Sequence, residues 1–521
     1  MFYDKHPPSD PLLSYFYILE PTAIKMNYQN TSPALIYPNS DATNKKSAII
    51  CDEYVLTSGT ILVNVIQRNK LQSNVETHLL NRKVISGEEN QWTKLKDETF
   101  SVIHQKDNNL QRRKARLKYL FNSKNIYESV KDILAGFRSY KVPFNQIELH
   151  QLLVSSFVIL QFCDESSLQS NDKSLMTLMT ESANVARNLK KLDTVICVTT
   201  PFAHESFFNT VNAAKVANIF GHNNCLSIIS APLVYGCEGG GVYDNKRNLI
   251  GIVINTTFCW NNETAILTLV ADYRDIAREF VCRIDSHILK NIQVEPTQKC
   301  RMQQPIVFIQ SGGSWGTGCL LKINNAKVVI TCSHIITVEA SSNVTCFWNK
   351  KKLSCKVIYK NPIYNRAYDV AILNVPVNIP SDSFAEHSDI RPEVGDIVYS
   401  VGFPHFSTFS RIDSPSVFDG KITKLSKGML MSDVNVQAGQ SGCPLFDKRG
   451  KLIGICISNS KDSAYNLVYP NMSMAVPICD IISILREYSL LGEKTILRQL
   501  EAGRDVQDVW QLKPPSIISK L

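Results

Sequence analysis

The chain has 521 residues, 44% hydrophobic and 20% charged, with 23 Gly and 22 Pro, a globular composition that excludes disordered, collagen-like and fibrous architectures. At about 150 residues per domain this length predicts roughly two to four domains with proper cores. Lys+Arg 56 against Asp+Glu 47 leaves a net charge of +9, too dilute for a nucleic-acid partner, whose binding face concentrates its basic residues in one patch or stripe.

In chain order, Met1-Phe2-Tyr3-Asp4-Lys5-His6 lacks a basic n-region, and the apolar stretch from Pro11 ends at Glu20, which argues against a secretory signal. No run of about 18 apolar residues occurs, so no membrane span is expected. Strands are predicted over Ser47–Val55, Ser155–Phe162, Asp193–Thr199, Asn248–Asn255, Ala326–Thr331, Val370–Val375, Asp396–Val401 and Lys451–Ser458. These segments are short, rich in Val and Ile, and bounded by Gly, Asn, Asp or Pro. Helical patterning is confined to 110–135, 210–219, 476–490 and 494–503. Many short strands with a few peripheral helices predict an all-β protein of barrels or sandwiches. The 15 cysteines are odd in number and irregularly spaced, which favours small buried hydrophobes over disulfides or a zinc site. The chain ends in Ser519-Lys520-Leu521, the small, cationic and apolar side chains of a peroxisomal targeting signal read by an import receptor.

A repeat of long period organises the chain. Val242-Tyr243-Asp244 through Leu249-Ile250-Gly251-Ile252 lies against Leu445-Phe446-Asp447 through Leu452-Ile453-Gly454-Ile455 without a gap, an offset of 203 residues (445 − 242). Asp193–Val198 resembles Asp396–Val401, and Val55–Leu62 resembles Val329–Ile336. Two copies of one β-domain are therefore expected, over 25–290 and 300–490. They follow an N-terminal segment 1–24 and precede a tail 491–521; a charged insertion is expected near 66–130. Within that insertion the basic run Gln111–Lys118 reads as a solvated helix face.

The second copy carries a catalytic constellation. Acyl transfer through a serine needs a base, a carboxylate that orients the base, and N–H donors where the oxyanion forms. Gly439-Gln440-Ser441-Gly442-Cys443-Pro444 offers the serine on a loop whose glycines let the backbone turn sharply. His334 follows the strand Ala326–Thr331, and Asp369 precedes Val370–Leu373. In this reading Ser441 attacks, His334 moves the proton, Asp369 holds the imidazole, and the N–H groups of Gly439 and Ser441 form the oxyanion hole. His387, His405 and Asp389 are competitors without an equivalent strand edge. The order His, Asp, Ser, with a Gly-rich hairpin over Ser311–Gly318 expected ahead of the first strand, resembles the trypsin-like superfamily. Asn435 stands six residues before the nucleophile, where that family places the base of its primary pocket. With Cys456 and Ser458 lining the pocket, the preference expected is a small or apolar side chain, including cysteine, rather than a basic one. Cys443 departs from the family's usual Gly. Neither a Gly-rich phosphate loop nor H-E-x-x-H occurs, so no metal and no cofactor are expected.

Carried across the repeat, the catalytic positions fall on Thr60, Ser156 and Glu238, none of which can do the same chemistry. The first copy therefore reads as a degenerate, non-catalytic domain. Two tandem trypsin-like double β-barrel domains, the first degenerate, with a terminal Ser-Lys-Leu, resemble the peroxisomal leader-peptide-processing proteases, also called trypsin-domain-containing or glyoxysomal processing proteases. The resemblance implies a serine endopeptidase of the peroxisome matrix that removes import presequences from its protein substrates, often after cysteine. It also implies cleavage of β-oxidation enzymes and self-cleavage in the N-terminal region; homo-oligomer formation stays open. An HtrA-like quality-control protease is the alternative, although only 31 residues follow position 490, too few for the PDZ domain such proteins carry. A non-enzymatic peroxisomal scaffold is the third reading.

Overall fold

A computed structural model describes residues 31–133, 138–139, 147–164, 172–260, 263–284, 301–339, 342–362, 368–375, 379–404, 414–462 and 467–510. The segment 1–24, His405 and the terminal Ser519-Lys520-Leu521 lie outside these residues. The fold is all-β at its centre: each half of the chain forms two closed antiparallel barrels.

In the second half the first barrel runs Ile306–Ser311, Ser314–Ile323, Ala326–Cys332, Val370–Asn374, Lys351–Lys360 and Asn343–Trp348, closing on itself. The second barrel runs Ile397–Gly402, Ser416–Ser426, Met429–Ser432, Leu467–Pro477, Leu452–Asp462 and Pro444–Asp447. Closure removes the sheet edges that would otherwise present unpaired backbone groups. It also explains the Val- and Ile-rich strands, since the inward side chains of Ala326–Cys332 and Val370–Asn374 meet in one core. The Gly-rich hairpin is the turn between the first two strands rather than a prelude to them, with Gly312 left-handed at φ +58°.

The first half repeats this plan. Ser32–Pro38, Lys46–Cys51, Tyr54–Ser58, Thr99–Lys106, Asn109–Asn122 and Ser156–Phe162 close one barrel, sealed by pairing of the last two. Thr194–Thr199, Thr210–Phe220, Leu226–Ile229, Gly241–Tyr243, Leu249–Trp260 and Glu263–Asp272 close the other. Three sequence expectations are corrected here. The predicted strand Ser47–Val55 is two strands folded about Asp52, which is left-handed at φ 56°. The helix expected over 110–135 is a strand to Asn122 and a helix only over Lys124–Ile133, so the basic run 111–118 belongs to a barrel wall and not to an insertion. The helix expected over 210–219 is the strand Thr210–Phe220. The additional chain in this half is mainly helical, with Val63–Arg68, Gln72–Leu80 and Thr93–Lys96 between two strands and Ile147–Val154 before a third.

The halves are joined along their second barrels, whose apolar interiors belong to one continuous cluster. At the seam Lys215 pairs with Asp419 at 2.9 Å. Beside it the Asn218 amide donates to the Ser414 carbonyl at 3.0 Å and to Ser416 Oγ at 3.1 Å. After the helix Ile478–Leu491, ended by left-handed Gly492, a 3-10 segment Lys494–Leu500 and a helix Arg504–Trp510 fold back onto the second half. Leu497 and Leu500 are buried there, and Trp510 Nε1 donates to the Gly428 carbonyl at 3.0 Å.

Candidate active site

His334 and Asp369 sit at the ends of neighbouring strands. Ala326–Cys332 and Val370–Asn374 are paired so that Cys332 faces Val370, and the next residues along each chain bring the two side chains together. Asp369 is fully buried. Its Oδ1 accepts the His334 backbone N–H at 3.0 Å, and its Oδ2 lies 2.5 Å from His334 Nδ1. Both carboxylate oxygens are thus spent on one residue, which fixes the ring's direction and assigns the proton of the neutral imidazole to Nδ1, leaving Nε2 as the basic nitrogen. The carboxylate is aimed by its own backbone. Tyr368 is left-handed at φ 54°, a conformation that costs a bulky residue about 1–3 kcal/mol. It is held there by the Asn361 amide, which donates to the Tyr368 carbonyl at 2.8 Å, while Ser333 Oγ donates to the Asn361 carbonyl at 2.8 Å.

The serine loop is pinned against the same strands by Thr317. The Thr317 hydroxyl donates to the Gly439 carbonyl at 2.8 Å and accepts the Phe403 N–H at 3.0 Å. Its N–H donates to the Ser441 carbonyl at 2.9 Å, and its own carbonyl accepts Thr331 Oγ1 at 2.7 Å. One residue of the first barrel therefore holds both sides of the nucleophile loop in the second. Gly442, at φ +82°, passes so close to the first barrel that a Cβ would stand 2.2 Å from the Thr317 carbonyl oxygen and 2.9 Å from Cys332 N. That approach puts Ser441 beside the strand end from which His334 projects. At Gly439, φ +87°, a Cβ would strike the Trp315 ring at 1.7 Å. Among the described residues, the N–H groups of Gly439 and Ser441 have no hydrogen-bond acceptor, as donors awaiting an oxyanion must be.

Cys443 does not disturb this loop. Its backbone is outside the left-handed region, its N–H donates to the Gln440 carbonyl at 2.8 Å, and facing Gly402 leaves room for its side chain. Asn435 is almost buried, with Oδ1 accepting from Gln437 Nε2 at 2.5 Å. Ser458 is half-buried on the adjoining strand. Cys456 is wholly buried in the second-barrel core, and its thiol sits by that of Cys443. The competitors His387 and Asp389 lie elsewhere, against Arg486 and in a cleft of about 900 Å³ that none of the three catalytic candidates lines. Cys332 shares a small cluster with His334 and Asp369. Burial pushes its thiol well above the usual range, and it donates to the Cys456 carbonyl at 3.3 Å, which marks it as packing rather than chemistry.

The first half keeps three bonds of the clamp but not the candidate triad, and the Ser47 N–H goes to the Gly236 carbonyl at 3.0 Å. Ser47 stands for Thr317: its hydroxyl donates to the Gly236 carbonyl at 2.8 Å and accepts the Thr200 N–H at 2.9 Å, while its carbonyl accepts Thr57 Oγ1 at 2.7 Å. The strand ladders put Thr57 opposite Val158 as Thr331 is opposite Ala371, so Ser156 occupies the position of Asp369. Glu238, at the nucleophile position, folds its carboxylate back into its own loop. The Gly236 N–H, counterpart of the Gly439 donor, gives its hydrogen bond to Glu238 Oε2 at 2.9 Å. Lys46 Nζ adds a second at 3.0 Å, and Thr256 Oγ1 donates to Oε1 at 3.0 Å. Burial pushes this carboxyl up, but the Lys46 charge and these hydrogen bonds outweigh it and hold it below the usual carboxylate range. A carboxylate here takes the N–H that corresponds to that of Gly439. The residue type was visible in the sequence, but where its side chain points was not.

Residues 316–455 match the family described as trypsin-like peptidase domain. The human peroxisomal leader peptide-processing protease is 26% identical over 348 residues, 60% of this chain and 58% of that protein, and the mouse protein of the same name matches to the same extent. The chain thus spans a little under three fifths of the length of these relatives. A probable periplasmic serine endoprotease, DegP-like, of Pseudomonas putida is 26% identical over 34% of this chain and 36% of its own. Among solved structures, a serine endoprotease from Yersinia pestis matches at 17% identity and TM-score 0.30, covering 38% of this chain and 69% of that one. Among the described residues no helix is long and apolar enough to cross a membrane.

Proposed function

We propose that the chain is a serine endopeptidase whose second half performs acyl transfer and whose first half performs none. Ser441 Oγ attacks the scissile carbonyl, and His334 takes the proton and returns it to the leaving amine. Asp369 fixes the imidazole and stabilises its cation, and the N–H groups of Gly439 and Ser441 bind the oxyanion at about 3 kcal/mol per donor. The observation that carries this reading is the doubly anchored His334–Asp369 pair beside a loop with two open N–H donors. No metal or cofactor has a step in this scheme.

The substrates proposed are imported proteins of the peroxisome matrix, cut at presequences and within β-oxidation enzymes, with self-cleavage in the first half. Support comes from the name of the human relative and from Ser519-Lys520-Leu521, whose small, cationic and apolar side chains fit the address an import receptor reads at a free C-terminus. The almost buried, uncharged Asn435 favours a small or apolar residue before the cut. A quality-control protease is the second reading, favoured by the DegP-like match. Labelling with a fluorophosphonate probe, wild type beside Ser441→Ala, tests the chemistry: label on Ser441 that disappears in the variant is expected. Folded wild type that takes no label refutes it and moves the protein to the scaffold reading. Deleting Leu521 should abolish peroxisomal residence in cells; unchanged residence removes the address.

A further inference from the structure

We propose that the catalytically silent first half positions the oxyanion loop of the second, through a hydrogen bond from Gln437 to the Ile266 carbonyl; this rests on the peptidase reading above. Gln437 Nε2 lies 3.2 Å from the Ile266 carbonyl oxygen and 2.5 Å from Asn435 Oδ1. Both neighbours are acceptors, so the amide nitrogen has to face them, and the side chain bridges the two halves. Ile266 belongs to the strand Glu263–Asp272 of the first half, in register with Thr257 of the adjoining strand, so the carbonyl is carried by a paired strand.

The backbone of Gln437 is tied in turn to the loop's central residue. The Gln437 N–H donates to Gln440 Oε1 at 2.8 Å, and the Gln440 N–H donates to the Gln437 carbonyl at 2.9 Å. Gln440 is fully buried and stands between the two open donors, Gly439 and Ser441. The Ser441 N–H lies in the peptide that follows Gln440, and the peptide that precedes Gln440 carries the Gly439 carbonyl, so the placement of Gln440 sets the Ser441 donor directly and the Gly439 donor through the backbone of Gly439. On the other flank Asn459 Nδ2 donates to the Val436 carbonyl at 2.6 Å, which secures the loop to its own barrel. The first half supplies the remaining anchor. Gln437 is a positioning residue, acting on the reacting atoms only through Gln440.

The test is saturation kinetics of fluorophosphonate labelling on the full chain, which separates reversible docking (KI) from bond formation at Ser441 (kinact). Gln437→Met keeps the length and apolar stem but removes both donated hydrogen bonds. At about 1 kcal/mol for a hydrogen bond, kinact is expected to fall roughly five- to tenfold, with KI and the final labelled fraction unchanged and the melting temperature within a few degrees of wild type. Gln437→Glu, an acceptor facing two acceptors, should fall further. A general loosening would instead lower the labelled fraction or raise KI. If Gln437→Met does not fold, Gln437→Asn, one methylene too short to span both oxygens, reads the same quantity. Wild-type kinact in a folded variant overturns this inference alone; absence of label on folded wild type overturns the peptidase reading and this inference with it.

Discussion

Thr317→Val is the sharpest probe of how the loop is held. The two side chains are nearly isosteric, so the exchange leaves packing intact and removes one hydroxyl. That hydroxyl serves the Gly439 carbonyl at 2.8 Å and the Phe403 N–H at 3.0 Å, both in buried surroundings. A stranded buried polar group costs about 1–3 kcal/mol, so two should cost roughly 2–6 kcal/mol. At about 2–4 °C per kcal/mol for a domain of this size, the shift is roughly 4–24 °C downward. The same substitution releases the Gly439–Gln440 peptide, which lies between the two N–H groups proposed as oxyanion donors, so fluorophosphonate labelling should slow by at least about tenfold in protein that is still folded. Differential scanning calorimetry and labelling of the same sample measure both effects, and Thr317→Ser, which keeps the hydroxyl, should recover the labelling rate. A Thr317→Val protein that melts and labels like wild type would refute the argument that Thr317 holds the loop.

Asp369→Asn should keep the fold while lowering activity by about four orders of magnitude, because the asparagine amide can impose the wrong imidazole tautomer; rate assays at saturating substrate decide it. Gly442→Ala should fail to give folded, labelled protein, since a Cβ at φ +82° would sit 2.2 Å from the Thr317 carbonyl oxygen. In the first half, Glu238→Ala leaves the buried Lys46 ammonium without its carboxylate and should cost about 3–5 kcal/mol in urea unfolding, whereas Lys46→Met with Glu238→Leu should be close to neutral; equal losses in the single and double variants would show that the pair is not coupled. Burial and the Lys46 charge push His150 down to about 4. The unfolded chain therefore binds the extra proton first, and stability should fall as pH drops from about 6.5 to about 4. His150→Gln should flatten that part of the melting-temperature profile.

The strands that flank the site were legible because their Val and Ile runs end in turn residues, and the repeat made the second half a template for the first. The helices expected over 110–135 and 210–219 failed for a common reason. Arg, Lys, Gln and Ala carry good helix propensity, but burial along Thr210–Phe220 begins by alternating residue by residue, and Ala115 and Leu117 point inward from a strand whose Arg116 points out. Pairing with neighbours overrode the local preference. Asp52 split a run that looked continuous, since a single left-handed residue leaves no trace in hydrophobicity. Ser441, His334 and Asp369 could be proposed from type, order and strand context. Thr317 and Gln437 could not, because their partners lie 122 and 171 residues away and both residue types are commonplace.

The duplicated clamp gives this polypeptide an internal calibration standard. Ser47 and Thr317 make matching bonds to Gly236 and Gly439, to Thr200 and Phe403, and to Thr57 and Thr331. One loop holds the proposed nucleophile Ser441 and the other a carboxylate that satisfies its own donor. Weakening the first copy by Ser47→Ala disturbs a joint between two barrels that carries none of the proposed catalytic groups. Weakening the second disturbs the same joint together with the reaction. Subtracting one effect from the other, within one molecule and one buffer, isolates what the geometry of the loop is worth to chemistry from what it is worth to folding, a separation that a single-copy protease does not permit.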